Sequence, residues 1–362
     1  MEPRRPLVAR VPSRAVSTVS GERPRPRIRD VAARAGVGVG TVSRVLNDMP
    51  GVAEETRQRV RAVMQELGYR PSTTARNLSL GRTQTLGVIA PFFTQPAVVE
   101  RLRGIDDVVG ASAYDLTLFN VETLDQRRDA LRRFARRDRV DGVMVISLPL
   151  RDAEVRGLNQ AGLPTVLIDV AHRSLPHVCV DDVAGGRLAG RHLLEAGHTR
   201  IAFLGDDEDQ PLGFLSSAQR LDGLRQALGE AGLPLPREYV RRGSHGRETA
   251  TRLARQLLAL RRPPTAVLAA SDVQAFGVMD AAARAGLDVP GDLSVMGFDD
   301  IELAAAIGLT TVRQPLRPSG RAGAGLLLRA LSGDGVGRVE LPPPAVVPRR
   351  TVAPVAATRH AA

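Results

Sequence analysis

The sequence predicts a small all-α head followed by an α/β body of two doubly wound lobes. Apolar residues recur at helical spacing in three short stretches between residues 27 and 68. From Thr85 onward, short apolar runs alternate with amphipathic stretches, the pattern of parallel strands joined by crossover helices. The length of 362 residues exceeds what a single hydrophobic core commonly organises.

In the head, Val31, Ala32 and Ala35 share one face of a short helix, and Gly36-Val37-Gly38 supplies a turn. A second helix is expected from Val39 to Asn47 with Val42, Val45 and Leu46 inward, and a third from Glu54 to Leu67 over Val60, Val63, Met64 and Leu67. Glu54 and Glu55 suit the first turn of that third helix, where the dipole favours acids. Three short helices with a glycine turn between the first two are the helix-turn-helix layout, whose second helix enters the DNA major groove. In the body the expected strands are TLGVIAPF (85–92), DLTLFNV (115–121), DGVMVIS (141–147), TVLIDV (165–170), RIAFLG (200–205), AVLAAS (266–271) and LSVMGFD (293–299). Helices are expected between them, as at 187–196 and 218–231, and the Pro-rich end is either irregular or a last short strand.

Charge is concentrated at the head. Residues 1–83 hold 16 Arg against 7 acidic residues, whereas residues 84–362 hold 34 against 32. A basic head on a nearly neutral body points to a polyanionic partner, with a solvated basic tail as the alternative. Every basic residue other than histidine is Arg. Cys179 is the single cysteine, which rules out an internal disulfide and fits a reducing cytoplasm. No run approaches a membrane span, and Arg4, Arg5, Arg10 and Arg14 interrupt any secretory leader, so a cytoplasmic location and no membrane partner are expected.

The run IRDVAARAGVGVGTVSRVLN (28–47), followed by VAEETRQRVRAVMQELGYRPSTTARNLSLGRTQTLGVI (52–89), resembles the N-terminal signature of the lac repressor (LacI/GalR) family. More thinly, the similarity continues to about Pro354. The resemblance implies a transcriptional regulator, expected to repress, that binds a partly palindromic double-stranded operator as a homodimer. It implies a periplasmic-binding-protein-like body whose two lobes are joined by three crossovers and hold a small-molecule effector, most often a carbohydrate, between them. On this reading residues 1–26 are a disordered basic extension, 27–69 the helix-turn-helix domain, 70–84 a hinge helix and linker, 85–355 the effector-binding and dimerisation domain, and 356–362 a tail. By position, Val39, Gly40 and Arg44 take the base-reading sites, and Thr41 and Ser43 suit phosphate contacts. Thr74, Ala75, Asn77 and Leu78 fall in the segment resembling the hinge helix, with Leu78 matching the residue that wedges between base pairs. Gly38 and Ala53 stand where relatives carry better helix caps.

Open α/β sheets place ligands at the carboxyl ends of their strands. Phe92, Phe93, Asp169, Ser271 and Asp299 fall there, and Arg220 aligns with an arginine that grips the effector in relatives. Arg220 and Asp299 are the leading hydrogen-bonding candidates, Phe92 or Phe93 a stacking surface, and Ser217 and His245 further candidates. Ser271 replaces an Asn common among relatives, which shortens its reach. No cofactor or metal site is expected. Gly36, Gly38 and Gly40 follow a helix rather than a strand, so a dinucleotide site fails its structural requirement. The run GDDED (205–209) reads as a solvated turn, His172, His177 and Cys179 lack zinc spacing, and His198 reads as structural. Two rival functions remain: an exported solute-binding protein, opposed by the fused head and the missing leader, and an α/β enzyme, which needs a phosphate loop after a strand. No such loop is visible.

Overall fold

The computed structural model describes residues 26–70, 82–134, 139–334, 339 and 341–355. The chain divides into two compact units, one ending at Gly81 and the other starting at Arg82.

The first unit contains α1 (Ile28–Ala35), α2 (Val39–Leu46) and α3 (Glu54–Glu66). Val31, Ala32, Ala35, Val42, Val45, Val60 and Val63 form its core, with Ile28, Val37, Leu46, Met64 and Leu67 packed around them. The Asp30 carboxylate accepts the Arg27 N–H at 2.7 Å and closes the start of α1. Gly36 ends α1 in the left-handed conformation, φ 64°, which glycine adopts without steric cost. An ion pair of 2.6 Å between Arg34 and Glu66 ties α1 to α3.

The second unit has two lobes. Lobe 1 is built on a parallel sheet of β1 (Thr85–Pro91), β2 (Asp115–Val121), β3 (Gly142–Ile146), β4 (Thr165–Ile168) and β5 (His177–Val178), in the order β2-β1-β3-β4-β5. Its helices are α4 (Pro96–Val109), α5 (Leu124–Phe134) and α6 (Asp152–Gln160). Lobe 2 carries α7 (Asp182–Glu195), β6 (Ile201–Asp206), α8 (Ser216–Glu230), β7 (Val240–Gly243), α9 (Arg247–Leu258), β8 (Ala266–Ala269), α10 (Asp272–Arg284), β9 (Ser294–Asp299), α11 (Glu302–Ile307) and β10 (Thr310–Arg313). The chain then returns to lobe 1, where α12 (Leu316–Ser332) packs on α4, and re-enters lobe 2 as β11 (Ala345–Val347). The lobe 2 sheet runs β11-β10-β9-β8-β6-β7, with only β11 antiparallel. The chain therefore passes between lobes three times: after β5, after β10 and after α12.

Central strands are apolar on both faces because both are covered. In β3, Val143 and Val145 face one core of lobe 1 while Met144 and Ile146 face the other. In lobe 2, Val267 and Ala269 of β8 face one core and Ala266 and Leu268 the opposite one. The expected strands are all present within a few residues of their predicted ends. Three short strands, β5, β7 and β10, are additional, and the Pro-rich end supplies β11. Among the described residues no helix is long and apolar enough to cross a membrane.

Helix pairs meet along glycine seams. A Cβ at Gly186 of α7 would fall on the Arg220 carbonyl oxygen of α8, and one at Gly223 of α8 would fall on the Val183 carbonyl oxygen. On the lobe 1 side, Gly104 of α4 lies against the Arg317 carbonyl and Gly320 of α12 against the Arg101 carbonyl. His198 is buried beside lobe 2, its Nδ1 2.9 Å from Thr265 Oγ1 and its Nε2 3.1 Å from the Ala353 carbonyl. A carbonyl can only accept, so Nε2 carries the proton in the neutral ring.

Gly186→Ala is expected to destabilise the second unit by about 1–3 kcal/mol, since a backbone oxygen cannot move aside as a side chain can. Gly229→Ala, where nothing lies within 4 Å, should be neutral or stabilise by up to about 1 kcal/mol. Denaturant midpoints that shift equally for the two variants would contradict this account. Burial lowers the His198 pKa, against a smaller opposing effect of the Ala353 carbonyl. The unfolded state therefore takes up the proton more readily, and stability falls as pH drops below about 6.5. The difference in unfolding free energy between the unsubstituted chain and His198→Gln should shrink between pH 7 and pH 5; a constant difference would show that His198 contributes nothing to acid lability.

Candidate functional sites: a helix face and an interlobe cleft

In the first unit, burying Val42 and Val45 turns the opposite side of α2 to solvent. Val39 is 42% exposed, Gly40 and Arg44 are exposed, and Thr41 and Ser43 are half-buried beside them. Gly38 is the N-cap of α2 and provides no side-chain hydrogen bond, as its identity requires. No carboxylate among the described residues pairs with Arg44, which leaves a solvated guanidinium in the second turn of the helix. A Cβ at Gly40 would meet nothing within 4 Å, so this position is open toward solvent. On the α2–α3 turn, Asp48 draws in Arg57 at 3.3 Å and Arg61 at 2.8 Å, which ties α3 to the end of α2. Thr74, Ala75, Asn77 and Leu78 lie outside the described residues.

In the second unit, the carboxyl ends of both sheets converge on a cavity of about 770 Å³. The strand order reverses between β1 and β3 and between β6 and β8, where such sheets open a crevice. Four non-glycine residues with positive φ end strands at this cavity: Phe92 (42°), Ser147 (52°), Asp169 (67°) and Asp299 (123°). Each such conformation costs about 1–3 kcal/mol and persists only where surrounding structure enforces it. Here it turns the residue that ends or follows each strand into the cleft.

Two buried arginines organise the polar wall. Arg101 of α4 lies 2.8 Å from Asp169 Oδ1, an ion pair rather than an aligned hydrogen bond, and donates to Gln314 Oε1 at 3.1 Å. Gln314 in turn donates to Asp299 Oδ1 at 2.5 Å. Arg220 of α8 donates through Nε to Asp182 at 2.8 Å and through Nη1 to the Ala270 carbonyl at 2.5 Å, with its guanidinium 3.8 Å above the Phe298 ring. Its Nη1 is also 3.7 Å from Asp299. Ser147 donates to Asp169 Oδ2 at 2.7 Å. Burial raises the Asp182 carboxyl to about 6 despite the nearby Arg220 charge, and burial likewise raises Asp299.

A second cluster borders the same cavity. His245 Nδ1 is 3.1 Å from Asp206 Oδ1, which also accepts from Gln274 Nε2 at 2.9 Å. Burial works against a charge on His245, but the hydrogen bond and charge of Asp206 outweigh it and hold the imidazole above its usual pKa. Ser271 caps α10, accepting the Gln274 N–H at 3.2 Å.

Six of the eight predicted cleft residues line one cavity: Phe92, Asp169, Arg220, His245, Ser271 and Asp299. Two do not. Ser217 is buried, with its Oγ accepting the Asp206 N–H at 2.9 Å, so it braces the end of β6 instead. Phe93 is 38% exposed and turned away from the cavity, its N–H donating to Asn120. The run GDDED ends β6 and continues into an exposed turn, as expected, and that turn sits at the cleft. Asp206 through Asp209 line the cleft, and Glu208 pairs with Arg242 at 2.5 Å. Arg101, Gln314 and Gln274 were not anticipated. The one available signal for Arg101 is its place among Val98, Gly104 and Ile105 on the buried face of α4, where a charge requires a partner. Among the described residues no cluster could hold a metal ion, and His198 is structural.

The comparisons with known proteins agree with this geometry. Residues 27–72 match the family described as bacterial regulatory proteins of the lacI family, and residues 191–352 match the periplasmic binding protein-like domain. The HTH-type transcriptional repressor PurR of Erwinia tasmaniensis is 35% identical over 307 residues, covering 83% of this chain and 89% of that one. Among solved structures, the lac repressor dimer bound to operator and the anti-inducer ONPF is similar with a TM-score of 0.79 and 28% identity, covering 91% of this chain and all of that one. The complex of the transcriptional regulator CelR with cellobiose has a TM-score of 0.67 and 29% identity, over 90% and 100% of the two chains. These relatives are regulators rather than enzymes. With its helix-turn-helix head and its two-lobed effector-binding body, the chain belongs to the LacI family of DNA-binding transcriptional regulators.

Proposed function

We propose that the chain represses transcription as a homodimer on a partly palindromic operator, and that a hydroxyl-rich small molecule, a carbohydrate, is the effector bound in the interlobe cleft. The observation that carries the effector reading is the mixed polar wall. Asp169, Asp299 and Asp206 offer acceptors, Arg220 and Gln314 offer donors, and Phe92 offers an apolar face. Hydroxyl groups both donate and accept, and a sugar ring has an apolar face as well, so this mixture suits a polyol. The cavity of about 770 Å³ has room for a mono- or disaccharide. The cellobiose bound by CelR is a ligand of this class.

On the DNA side, Arg44 reads one base by a bidentate contact to a guanine edge, Val39 adds apolar contact, Gly40 allows close backbone approach, and Thr41 and Ser43 meet phosphates. Thr74, Ala75, Asn77 and Leu78 belong on this reading to the minor-groove segment.

Selection of bound duplexes from a random pool should return a site with two related half-sites. Arg44→Ala should then lose preference at one base position per half-site, costing about 1–3 kcal/mol there; an unchanged selected sequence would remove Arg44 from base readout. For the cleft, a thermal-shift panel including ribose, glucose and cellobiose should find a stabilising ligand. Arg220→Lys keeps the charge facing Asp182 but loses the planar fork. It should need at least about tenfold more of that ligand while still binding operator, the loss of one charge-assisted hydrogen bond. A normal dose response would show that Arg220 does not touch the effector.

A further inference from the structure

The connection between β6 and α8, residues 207–215, begins and ends in lobe 2 but packs in lobe 1. Leu212 is 3% exposed and sits in the lobe 1 core that contains Val121, Leu148 and Leu150. Phe214 packs against the same core, edge-on to Phe92 with ring centroids 6.3 Å apart. Arg127 of α5 grips the segment from lobe 1. It is buried, held by Glu154 at 2.7 Å, and donates Nη1 to the Leu212 carbonyl at 3.4 Å and Nη2 to the Pro149 carbonyl at 2.5 Å. Ahead of these anchors in the chain, Asp207, Gln210 and Pro211 line the cleft.

A buried leucine is held by the apolar surface it removes from water, and here that surface belongs to the opposite lobe. The lobes cannot separate along this side of the cleft unless Leu212 and Phe214 leave lobe 1. We propose that residues 207–214 form an interlobe latch: Leu212, docked in lobe 1, holds the lobes together without ligand, and the effector enters or leaves when the latch lifts. The latch thus sets the rate of effector exchange whichever molecule the cleft takes.

The test needs no effector. Val273 lines the cleft, and Val273→Cys in the full chain with Cys179→Ala gives a single thiol there. Its alkylation by iodoacetamide reports how readily a small molecule reaches the cleft, with the latched chain as the reference rate. Leu212→Ser should raise the labelling rate at position 273 by about tenfold or more, whereas Leu212→Met, which keeps the buried apolar volume, should leave it within about twofold. Equal rates for Leu212→Ser and the unsubstituted latch would overturn the proposal. Should Leu212→Ser lose cooperative unfolding, Phe214→Ala, at a half-buried position, is read against the same tenfold threshold.

Discussion

Two guanidinium groups buried among carboxylates at the junction of two lobes are the constraint around which the second unit is arranged. Arg101 and Arg220 are each almost fully buried, with Asp169, Asp182 and Asp299 as their partners. An unpaired charge there costs several kcal/mol, so each arginine fixes the placement of its partners. The partners come from different elements: Asp169 from the end of β4, Asp182 from the start of α7, and Asp299 from the end of β9. Gln314, in the second crossover, joins the two halves by accepting from Arg101 and donating to Asp299. The network thus crosses from one lobe to the other through a segment that links them. Three carboxylates around two guanidinium groups also leave acceptor capacity over, which hydroxyl donors can use.

That network depends on backbone features that carry no chemistry of their own. Gly320 lies against the Arg101 carbonyl and Gly186 against the Arg220 carbonyl. The two ion-pairing arginines therefore sit where the neighbouring helices come closest, α12 on α4 and α7 on α8. A larger residue at either glycine would push away the helix that carries the arginine. At the strand ends, positive φ values at Asp169 and Asp299 aim the acceptors inward. Helix spacing and strand-end strain act together, one presenting donors and the other acceptors.

The legible parts of the sequence are those where periodicity and burial coincide. Long apolar runs gave the central strands, and the stripes over Val31, Val42 and Val60 gave the head. Strand β10 escaped because Thr310 and Thr311 are buried through hydrogen bonds, to Thr351 and Asp272, rather than through apolar side chains. Phe92 and Phe93 show the limit more sharply. The alternation of a strand predicts which face a side chain takes, but φ of 42° at Phe92 breaks that alternation where function begins. Neighbouring phenylalanines, equal in sequence, then part company. Ser217, expected in the cleft, instead accepts the Asp206 N–H across the β6–α8 connection, a contact that no local pattern encodes.

A cleft assembled from both lobes makes ligand binding a statement about lobe geometry. A small molecule that meets both the donors of α8 and the acceptors at the ends of β4 and β9 can do so only while the lobes keep this separation. Any effector that uses both sets binds that arrangement more tightly than an open one, and the difference in affinity is the free energy available to shift the equilibrium. By reciprocity, whatever else favours the closed arrangement raises effector affinity by the same factor. Contacts such as Arg101–Gln314–Asp299, which span the crossovers without needing a ligand, leave that difference unchanged but raise the closed population before any ligand binds, so less of the equilibrium is left to shift. The sensitivity of the regulator to its effector is therefore set by how much of the interlobe contact the protein makes for itself and how much it leaves for the ligand to supply.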